Sequence, residues 1–307
     1  MTAPFLLCPG QGAQAVGMGK AWADAQPEAQ ATFDEANDLL GIDLKTLCFD
    51  GPADTLNRTD TAQPAIYTAS VACFRALQAR GELPEFRGTA GLSLGEFTAL
   101  HLAGAFSFAD GLKLVRLRGE AMQEAAEAVD SSMVAITGDV SEEAIQAICD
   151  TVNDALPESA VLVPANFNSP MQVVVSGSRD ACEAVVDEAA AAGFKPTPLV
   201  VAGAFHSPIM QPAAVRLAQA LDAVEWSTPS VPVWSNVTGE PHQDEVQSIK
   251  LRLVEQLTHP VRWSQSMQHA LADSPGPFVE LAPGKVLTGL MRRIDRGTKV
   301  QNHNEPA

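Results

Sequence analysis

Basic residues and long apolar runs are both scarce in this chain of 307 residues. Lys and Arg together number 20 against 37 Asp and Glu, which gives a formal net charge of −17. Such a charge argues against a nucleic-acid binder, because the phosphates would be repelled. No apolar run reaches the roughly 18 residues that a membrane-spanning helix needs, so no span is predicted. Residues 1–7 carry no basic side chain, and we expect no signal peptide there.

Cysteine is also sparse, and no two of the five cysteines have the spacing of metal ligands. We therefore predict no metal site. An odd number of thiols without an export signal favours reduced cysteines and a cytoplasmic location. The length allows one large domain or two smaller ones, and no internal repeat is evident.

Strand and helix patterns alternate in the first third of the chain. Residues 5–8 read as an apolar strand, and residues 63–80 and 109–128 read as helices with apolar positions at helical spacing. This alternation is typical of an α/β layer structure with a parallel sheet.

A different order, β-α-β-β-α-β, occupies about residues 131–201, and it is the order of a split ferredoxin-like unit. Its strands are predicted at 133–137, 160–164, 172–176 and 198–201, and its helices follow Ser141 and Arg179. We therefore predict a small ferredoxin-like domain inserted in a large, hydrolase-like α/β domain with a parallel sheet. The predicted boundaries are residues 130–203 for the small domain and residues 1–129 with 204–307 for the large one.

One short segment carries the most specific signal. Residues 91–97 read Gly-Leu-Ser-Leu-Gly-Glu-Phe, and Gly91-x-Ser93-x-Gly95 is the spacing of a nucleophile elbow. In such an elbow the serine lies on a sharp strand-to-helix turn, and the two glycines let the backbone bend that tightly. Residues 86–90 read as a short strand and residues 96–103 as a helix, so the context fits a serine nucleophile, Ser93.

Several further motifs accompany the elbow along the chain. They are Pro-Gly-Gln-Gly-Ala-Gln at 9–14, Leu-Val-Arg-Leu-Arg-Gly at 114–119, Gly-Ala-Phe-His-Ser-Pro at 203–208 and Gln-Leu-Thr-His-Pro-Val-Arg-Trp at 256–263. Together with the elbow, this set resembles the malonyl-CoA:acyl carrier protein transacylases, the loading enzymes of fatty-acid synthesis. The resemblance extends from Phe5 to about Arg293. One departure is Leu92, where the family usually has histidine before the serine.

A serine nucleophile needs a base, and His206 is the best candidate among six histidines because it lies in a loop before Pro208. An ordinary hydrolase triad would add a carboxylate between the serine and the histidine in the chain, where Asp139 and Asp150 lie in no recognisable context. The resemblance implies a dyad instead, in which the second ring nitrogen of His206 donates to the main-chain carbonyl of Gln256. A neutral carbonyl orients the ring without placing a negative charge beside a malonyl carboxylate.

The oxyanion formed from a thioester carbonyl needs backbone N–H donors. Leu94, which follows the serine, is expected to give one, and Gln11 in the glycine-rich turn would give the second. The same turn, Gly10-x-Gly12-x-x-Ala15, also fits the looser dinucleotide-binding fingerprint. No acidic residue ends an evident second strand about 20 residues later, so the sequence argues against that alternative and we predict no cofactor.

Arg118 matches the family position that binds the malonyl carboxylate. A guanidinium holds a carboxylate through two parallel hydrogen bonds, whereas a lysine supplies charge without that planar geometry. Arg116, two residues earlier, is read as a helix-surface residue. The resemblance also places a group of further residues near the pocket, namely Phe205, Gln63, Asn166, Met122 and Gln256. In related acyltransferases, a phenylalanine before the histidine goes with malonyl rather than methylmalonyl.

These expectations imply transfer of a malonyl group from malonyl-CoA to the phosphopantetheine thiol of acyl carrier protein through a malonyl-serine, by a monomer without metal or cofactor. The alternatives are a serine esterase or thioesterase, an acyltransferase serving a polyketide synthase, and a non-catalytic binding module. Since coenzyme A and the carrier are both anionic, local basic residues must bind them despite the net charge. The candidates are Lys113, Arg116, Lys285, Arg292, Arg293 and Arg296.

Overall fold

The computed structural model describes residues 3–273 and 275–306. The strands are β1 (Phe5–Cys8), β2 (Gly88–Gly91), β3 (Ser131–Thr137), β4 (Leu162–Ser169), β5 (Gln172–Ser178), β6 (Lys195–Pro198), β7 (Val233–Trp234), β8 (Phe278–Leu281) and β9 (Val300–His303). The helices are α1 (Lys20–Ala25), α2 (Pro27–Leu40), α3 (Leu44–Asp50), α4 (Ala53–Leu56), α5 (Thr59–Ala79), α6 (Leu94–Leu102), α7 (Phe108–Ala128), α8 (Glu142–Ala155), α9 (Arg179–Ala191), α10 (Gln211–Asp222), α11 (Val246–Glu255), α12 (Trp263–Asp273) and α13 (Val286–Ile294). None of these described helices is long and apolar enough to cross a membrane.

A parallel sheet lies at the centre, and its described strands have the order β7-β2-β1-β8-β9. Both faces of the sheet are covered, which is why β1 reads as continuous Phe-Leu-Leu-Cys rather than as an alternating pattern. Leu6 and Cys8 face one core layer, whereas Phe5 and Leu7 face the other. β1 and β2 are neighbours, so the glycine-rich turn after β1 and the elbow after β2 meet at the carboxyl edge of the sheet. The α/β architecture with a parallel sheet is as predicted.

The two long helices α5 and α7 pack against each other and carry several predicted site residues. α5 begins at Thr59, before the predicted start at 63, because the Gln123 side chain on α7 accepts a hydrogen bond from the Thr59 N–H (3.1 Å). Ser107 caps α7 in the usual way, with its side chain accepting from the Asp110 N–H. This packing fixes the face of α7 on which Arg118 lies.

The four strands β3 to β6, with α8 and α9, form a second sheet with antiparallel pairing in the order β4-β5-β3-β6, hereafter the antiparallel unit. Its chain order is β3-α8-β4-β5-α9-β6. On β3, Val134 and Ile136 face α8 and α9, whereas Met133 and Ala135 face the main core. The antiparallel unit therefore has its own helix-covered core on one face and shares the main core on the other.

All four strands of the antiparallel unit differ from the predicted bounds: β3 begins two residues earlier, β5 ends two residues later, and β4 and β6 differ most. β6 covers Lys195–Pro198 rather than 198–201, because it is an edge strand that tolerates two prolines without N–H groups. β4 covers Leu162–Ser169 rather than 160–164, because the main body supplies a partner for its second half. There Val261 donates to the Ala165 carbonyl and accepts from the Phe167 N–H, each at 2.8 Å.

Candidate active site

Ser93 lies on the turn between β2 and α6, with φ 52° and ψ −101°. The glycines on either side are required by close backbone contacts. A Cβ on Gly91 would lie 1.8 Å from the carbonyl carbon of Gly95, and a Cβ on Gly95 would lie 2.1 Å from the carbonyl oxygen of Cys8. The turn holds Ser93 in a conformation that costs an L-residue roughly 1–3 kcal/mol, which is a pattern typical of functional sites.

His206 lies against this serine. The Ser93 Oγ and the His206 Nε2 are 2.9 Å apart, and the His206 Nδ1 is 2.7 Å from the main-chain carbonyl of Gln256. Because a carbonyl only accepts, Nδ1 carries the proton and Nε2 is free to accept from the serine hydroxyl. His206 has φ 58°, and in the described part of the chain it and Ser93 are the non-glycine residues with positive φ.

The protonation state of His206 suits a base. Burial and, to a smaller extent, the positive charge of Arg118 lower its pKa to about 4, and the hydrogen bond to the Gln256 carbonyl opposes both effects. The ring is therefore neutral at pH 7. Asp139 and Asp150 are both exposed, Asp139 before α8 and Asp150 on it. The Ser93–His206–carbonyl chain thus matches the dyad geometry that the resemblance implied.

Arg118 is almost completely buried and is bonded directly to the nucleophile. Its Nη2 donates to the Ser93 Oγ (2.9 Å) and to the Gln256 Oε1 (2.8 Å), and its Nη1 donates to the Gln63 Oε1 (2.7 Å). Burial lowers its pKa to about 9, which the negative charge of Glu96 opposes, so it stays charged at neutral pH. Its Nε has no hydrogen-bond partner among the described residues. Arg116 lies partly exposed and pairs with Glu120, as expected for a helix surface.

The two predicted oxyanion donors lie on the segments that meet at the elbow. Leu94 is the first residue of α6, where backbone N–H groups have no partner within the helix. A Cβ on Gly10 would lie 2.1 Å from the carbonyl oxygen of Leu92, so the turn that carries Gln11 is packed directly against the elbow. The roles of Gln11 and Leu94 as donors stay predictions.

The other predicted pocket residues fall into two groups. Gln63, Met122 and Phe205 are buried around the dyad, and Gln63 links Arg118 to Met122 through a 3.4 Å contact between its Nε2 and the Met122 Sδ. Asn166 lies on β4, where its backbone pairs with Val261. Leu92, at the departure from the family pattern, is half-buried and packs against the core layer beneath the sheet.

Sequence reasoning missed two residues that hold the elbow. The Asn236 Oδ1 accepts from the Ser93 N–H (2.6 Å), and its Nδ2 donates to the Gly91 carbonyl (2.8 Å). Glu96 is fully buried and accepts from Asn236 and Gln256. The available signals were the position of Asn236 just after a buried parallel strand and the single charge of Glu96 in an apolar helical run.

Comparison with known proteins agrees with this geometry. Residues 5–304 match the family model described as acyl transferase domain. The malonyl CoA-acyl carrier protein transacylase of Bacillus subtilis strain 168 is 41% identical over 301 residues, which are 98% of this chain and 93% of that protein.

Two solved structures are also similar over nearly the whole length. One is the malonyl CoA-acyl carrier protein transacylase of Coxiella burnetii, with a TM-score of 0.94 at 37% identity, covering 99% of this chain and 95% of that one. The other is a malonyl-transacylase solved in complex with its type II PKS acyl-carrier protein, with a TM-score of 0.94 at 38% identity, covering 99% and 97%. The chain therefore belongs to the acyl transferase domain family and, within it, to the malonyl CoA-acyl carrier protein transacylases.

Proposed function

We propose that Ser93, His206 and Arg118 carry out the reaction for which the relatives are named, through a malonyl-serine intermediate. The protein is a malonyl-CoA:acyl carrier protein S-malonyltransferase of fatty-acid synthesis. The observation that carries the assignment of residues is the contact of a buried arginine with the nucleophile, at 2.9 Å. A general esterase has no use for a guanidinium there, whereas a malonyl group brings a carboxylate to it.

The first half-reaction forms the acyl-enzyme. The Ser93 Oγ attacks the thioester carbonyl of malonyl-CoA while its proton passes to the His206 Nε2. The backbone N–H groups of Gln11 and Leu94 stabilise the oxyanion. When the carbon–sulfur bond breaks, His206 returns the proton to the departing coenzyme A thiolate, which leaves malonyl-Ser93.

Arg118 holds the far end of the malonyl group. Its unpartnered Nε supports this role, because an unsatisfied buried donor costs about 1–3 kcal/mol unless a ligand satisfies it. A malonate carboxylate matches the planar fork of donors, and an acetyl group has nothing to place there. The buried Phe205 and Met122 limit the room beside the acyl chain.

The second half-reaction runs the same steps with a different thiol. The phosphopantetheine thiol of acyl carrier protein gives its proton to His206 and attacks the malonyl ester, and His206 then returns the proton to the Ser93 Oγ. No metal or cofactor takes part in either half. We propose that Asn166 lines the route by which the pantetheine arm enters.

A basic surface formed by α13 and the residues that flank it suits docking of an acidic carrier. Lys285, Arg292, Arg293 and Arg296 are exposed and have no ion-pair partner among the described residues, whereas Arg116 is paired. A Cβ on Gly284 would lie 3.1 Å from the carbonyl oxygen of Ala13, so α13 begins beside the turn that carries Gln11. Lys285 directly precedes α13 at that end, and the four residues together provide local positive charge in a chain with a net charge of −17.

The domain division belongs to the same proposal. We assign the antiparallel unit to a ferredoxin-like domain of residues 130–203 and the remainder, 1–129 and 204–307, to the large catalytic domain. The backbone pairing between β4 and Val261 supports a fixed arrangement of the two domains. Val261 follows Gln256 by five residues, so the paired segment is close in the chain to a residue of the site. A monomeric state and a cytoplasmic location stay predictions.

The intact mass after mixing with malonyl-CoA tests the proposal. We expect a mass increase of one malonyl group in the wild type and none in Ser93→Ala, which keeps the backbone and removes only the hydroxyl. Adding a fatty-acid carrier protein should discharge the adduct to malonyl-carrier. Free malonate released at the same rate without any carrier would make the protein a thioesterase. Selective discharge by a type II polyketide carrier would assign it to polyketide synthesis, which the similarity to a complex of that kind makes worth testing.

A further inference from the structure

Glu96 is a fully buried carboxylate one helical turn beyond the nucleophile. Its Oε1 lies 2.7 Å from the Nε2 of His242, whose side chain is only 2% exposed. Its Oε2 accepts from the Gln256 Nε2 (2.5 Å) and from the Asn236 N–H (3.2 Å). The malonyl-transfer steps above use none of these contacts.

These contacts decide which way the Gln256 amide points. The Gln256 Nε2 faces two acceptors, the Glu96 carboxylate and the main-chain carbonyl of Ser93 (3.0 Å), and because neither can donate a hydrogen bond the NH₂ end must face them. The Oε1 end then faces Arg118 and accepts from its Nη2 at 2.8 Å. Turning the amide over would place two sets of N–H donors against each other at Arg118 and two acceptors against each other at Glu96.

We propose that Glu96 is the positioning residue for the malonyl carboxylate, acting through the Gln256 amide to hold the Arg118 guanidinium in its binding position. This inference rests on the proposed function of Arg118. His242 holds the second oxygen of Glu96, so the carboxylate is fixed at both ends. The negative charge of Glu96 also favours the charged form of the buried Arg118.

The same glutamine serves the dyad by a different atom. His206 donates to the main-chain carbonyl of Gln256, which lies at the carboxyl end of α11 and is held by the backbone bond from the Gln256 N–H to Arg252. Turning the side chain leaves that carbonyl in place. Loss of Glu96 should therefore affect recognition of the carboxylate more than activation of the serine.

The test compares malonyl-CoA with acetyl-CoA in Glu96→Gln, a substitution that keeps the shape and removes the charge and the acceptor-only character. We expect kcat/KM for malonyl-CoA to fall roughly 10- to 100-fold and that for acetyl-CoA to change less than about threefold. Glu255→Gln is the control. Glu255 is next to Gln256 in the chain, but its carboxylate pairs with Arg252, so this substitution should leave both kcat/KM values unchanged.

A parallel fall for both substrates would assign Glu96 to support of the elbow through Asn236 and overturn the inference, as would an unchanged malonyl to acetyl ratio. The wild type separates this failure from failure of the proposed function, because a wild type that forms no malonyl adduct rejects the function itself. Thermal unfolding of each variant shows whether it is folded.

A double-mutant cycle tests whether Glu96 acts through the amide. Gln256→Met alone should reproduce the selective loss of malonyl transfer, and adding Glu96→Gln to it should cost little more. Additive losses would mean that the two residues act separately and would contradict the inference. If Glu96→Gln does not fold, Gln256→Met still decides, because an unchanged malonyl to acetyl ratio in that variant removes the link from Glu96 to Arg118.

Discussion

The antiparallel unit differs from the elbow region, the residues around Ser93, Glu96, Arg118 and His206, in how well local sequence preferences agree with the folded structure. In the antiparallel unit, side chains alternate between two faces, Ser141 caps α8 through the Ala144 N–H, and Gly193 follows α9 with φ +86°. Its core is made of aliphatic residues, cysteines and one phenylalanine, and no charged side chain is buried in the part of it that the structure describes. Local sequence preferences and tertiary packing agree there.

The elbow region contains the exceptions. Ser93 and His206 have positive φ angles, and Glu96, Arg118 and His206 are ionisable groups buried away from water. Each exception costs free energy unless its neighbours compensate. Of these two regions, only the one around Ser93 combines strained backbone with buried ionisable groups, and it is where thioester chemistry needs them, so the difference separates what folds the chain from what makes it react.

The largest expected effect comes from the base. His206→Ala should slow formation of the malonyl adduct by roughly 10²- to 10⁴-fold, the usual contribution of a positioned general base. Rapid-quench measurement of adduct formation at pH 7 checks it. His101→Ala is the matched control, since His101 is held by the Phe106 carbonyl. An unaltered rate in His206→Ala would take the base away from the elbow region.

Sequence predicts these two regions to different depths. The elbow can be predicted from its glycines, because only glycine fits at positions 91 and 95, where the backbone lies against other backbone atoms. The strands of the antiparallel unit are readable by alternation, but the ends of β4 and β6 are not, because β4 is extended by Val261 from a distant segment.

The polar contacts that hold the elbow could not be predicted from the sequence pattern. Asn236 and Glu96 reach Ser93 and Gln256 across 143 and 160 residues of chain, respectively. No local periodicity encodes such a pairing. The role of the Gln256 carbonyl came only from the resemblance, since a main-chain acceptor leaves no residue-type signal.

Arg118→Ala should have the next largest effect, confined to one substrate. Malonyl transfer should fall roughly 10²-fold or more, because charge-assisted hydrogen bonds contribute on the order of 1.5–3 kcal/mol each. Acetyl transfer should fall little or rise, because acetyl-CoA offers no carboxylate. The measurement is kcat/KM for both substrates, with Arg116→Ala on the same helix as the control. Equal losses for both would show that Arg118 supports the elbow rather than selecting the substrate.

The pH dependence sharpens the contrast on a smaller scale. The base must be neutral, and the pKa of His206 is lowered to about 4, so activity should persist at pH 5 and fall as the pH drops through about 4. A histidine with the ordinary pKa of about 6.5 would already lose more than tenfold at pH 5.

Acetyl-CoA allows the cause of that shift to be measured without a carboxylate on the substrate. Because the Arg118 charge contributes to lowering the pKa of His206, Arg118→Ala should raise this pKa and move the acidic limb of the kcat/KM profile to higher pH. The Arg116→Ala limb should coincide with the wild-type one. An acidic limb near 6.5 in the wild type would mean that burial does not set the state of the base.

The smallest effect concerns backbone strain and has opposite signs in the two regions. Ser93→Gly and Ser93→Ala both remove the hydroxyl and differ only in the Cβ that makes φ 52° unfavourable. Relief of about 1–3 kcal/mol of strain exceeds the roughly 0.5–1 kcal/mol that glycine costs through its unfolded-state freedom, so Ser93→Gly should be the more stable variant.

Ser176 on β5 supplies the matched pair, since it is buried in an ordinary strand. There the glycine variant should be the less stable one by about 0.5–1 kcal/mol or more. Urea unfolding of all four variants measures both differences. If glycine is unfavourable by the same margin at both positions, the elbow stores no strain, and the backbone contrast between the two regions disappears.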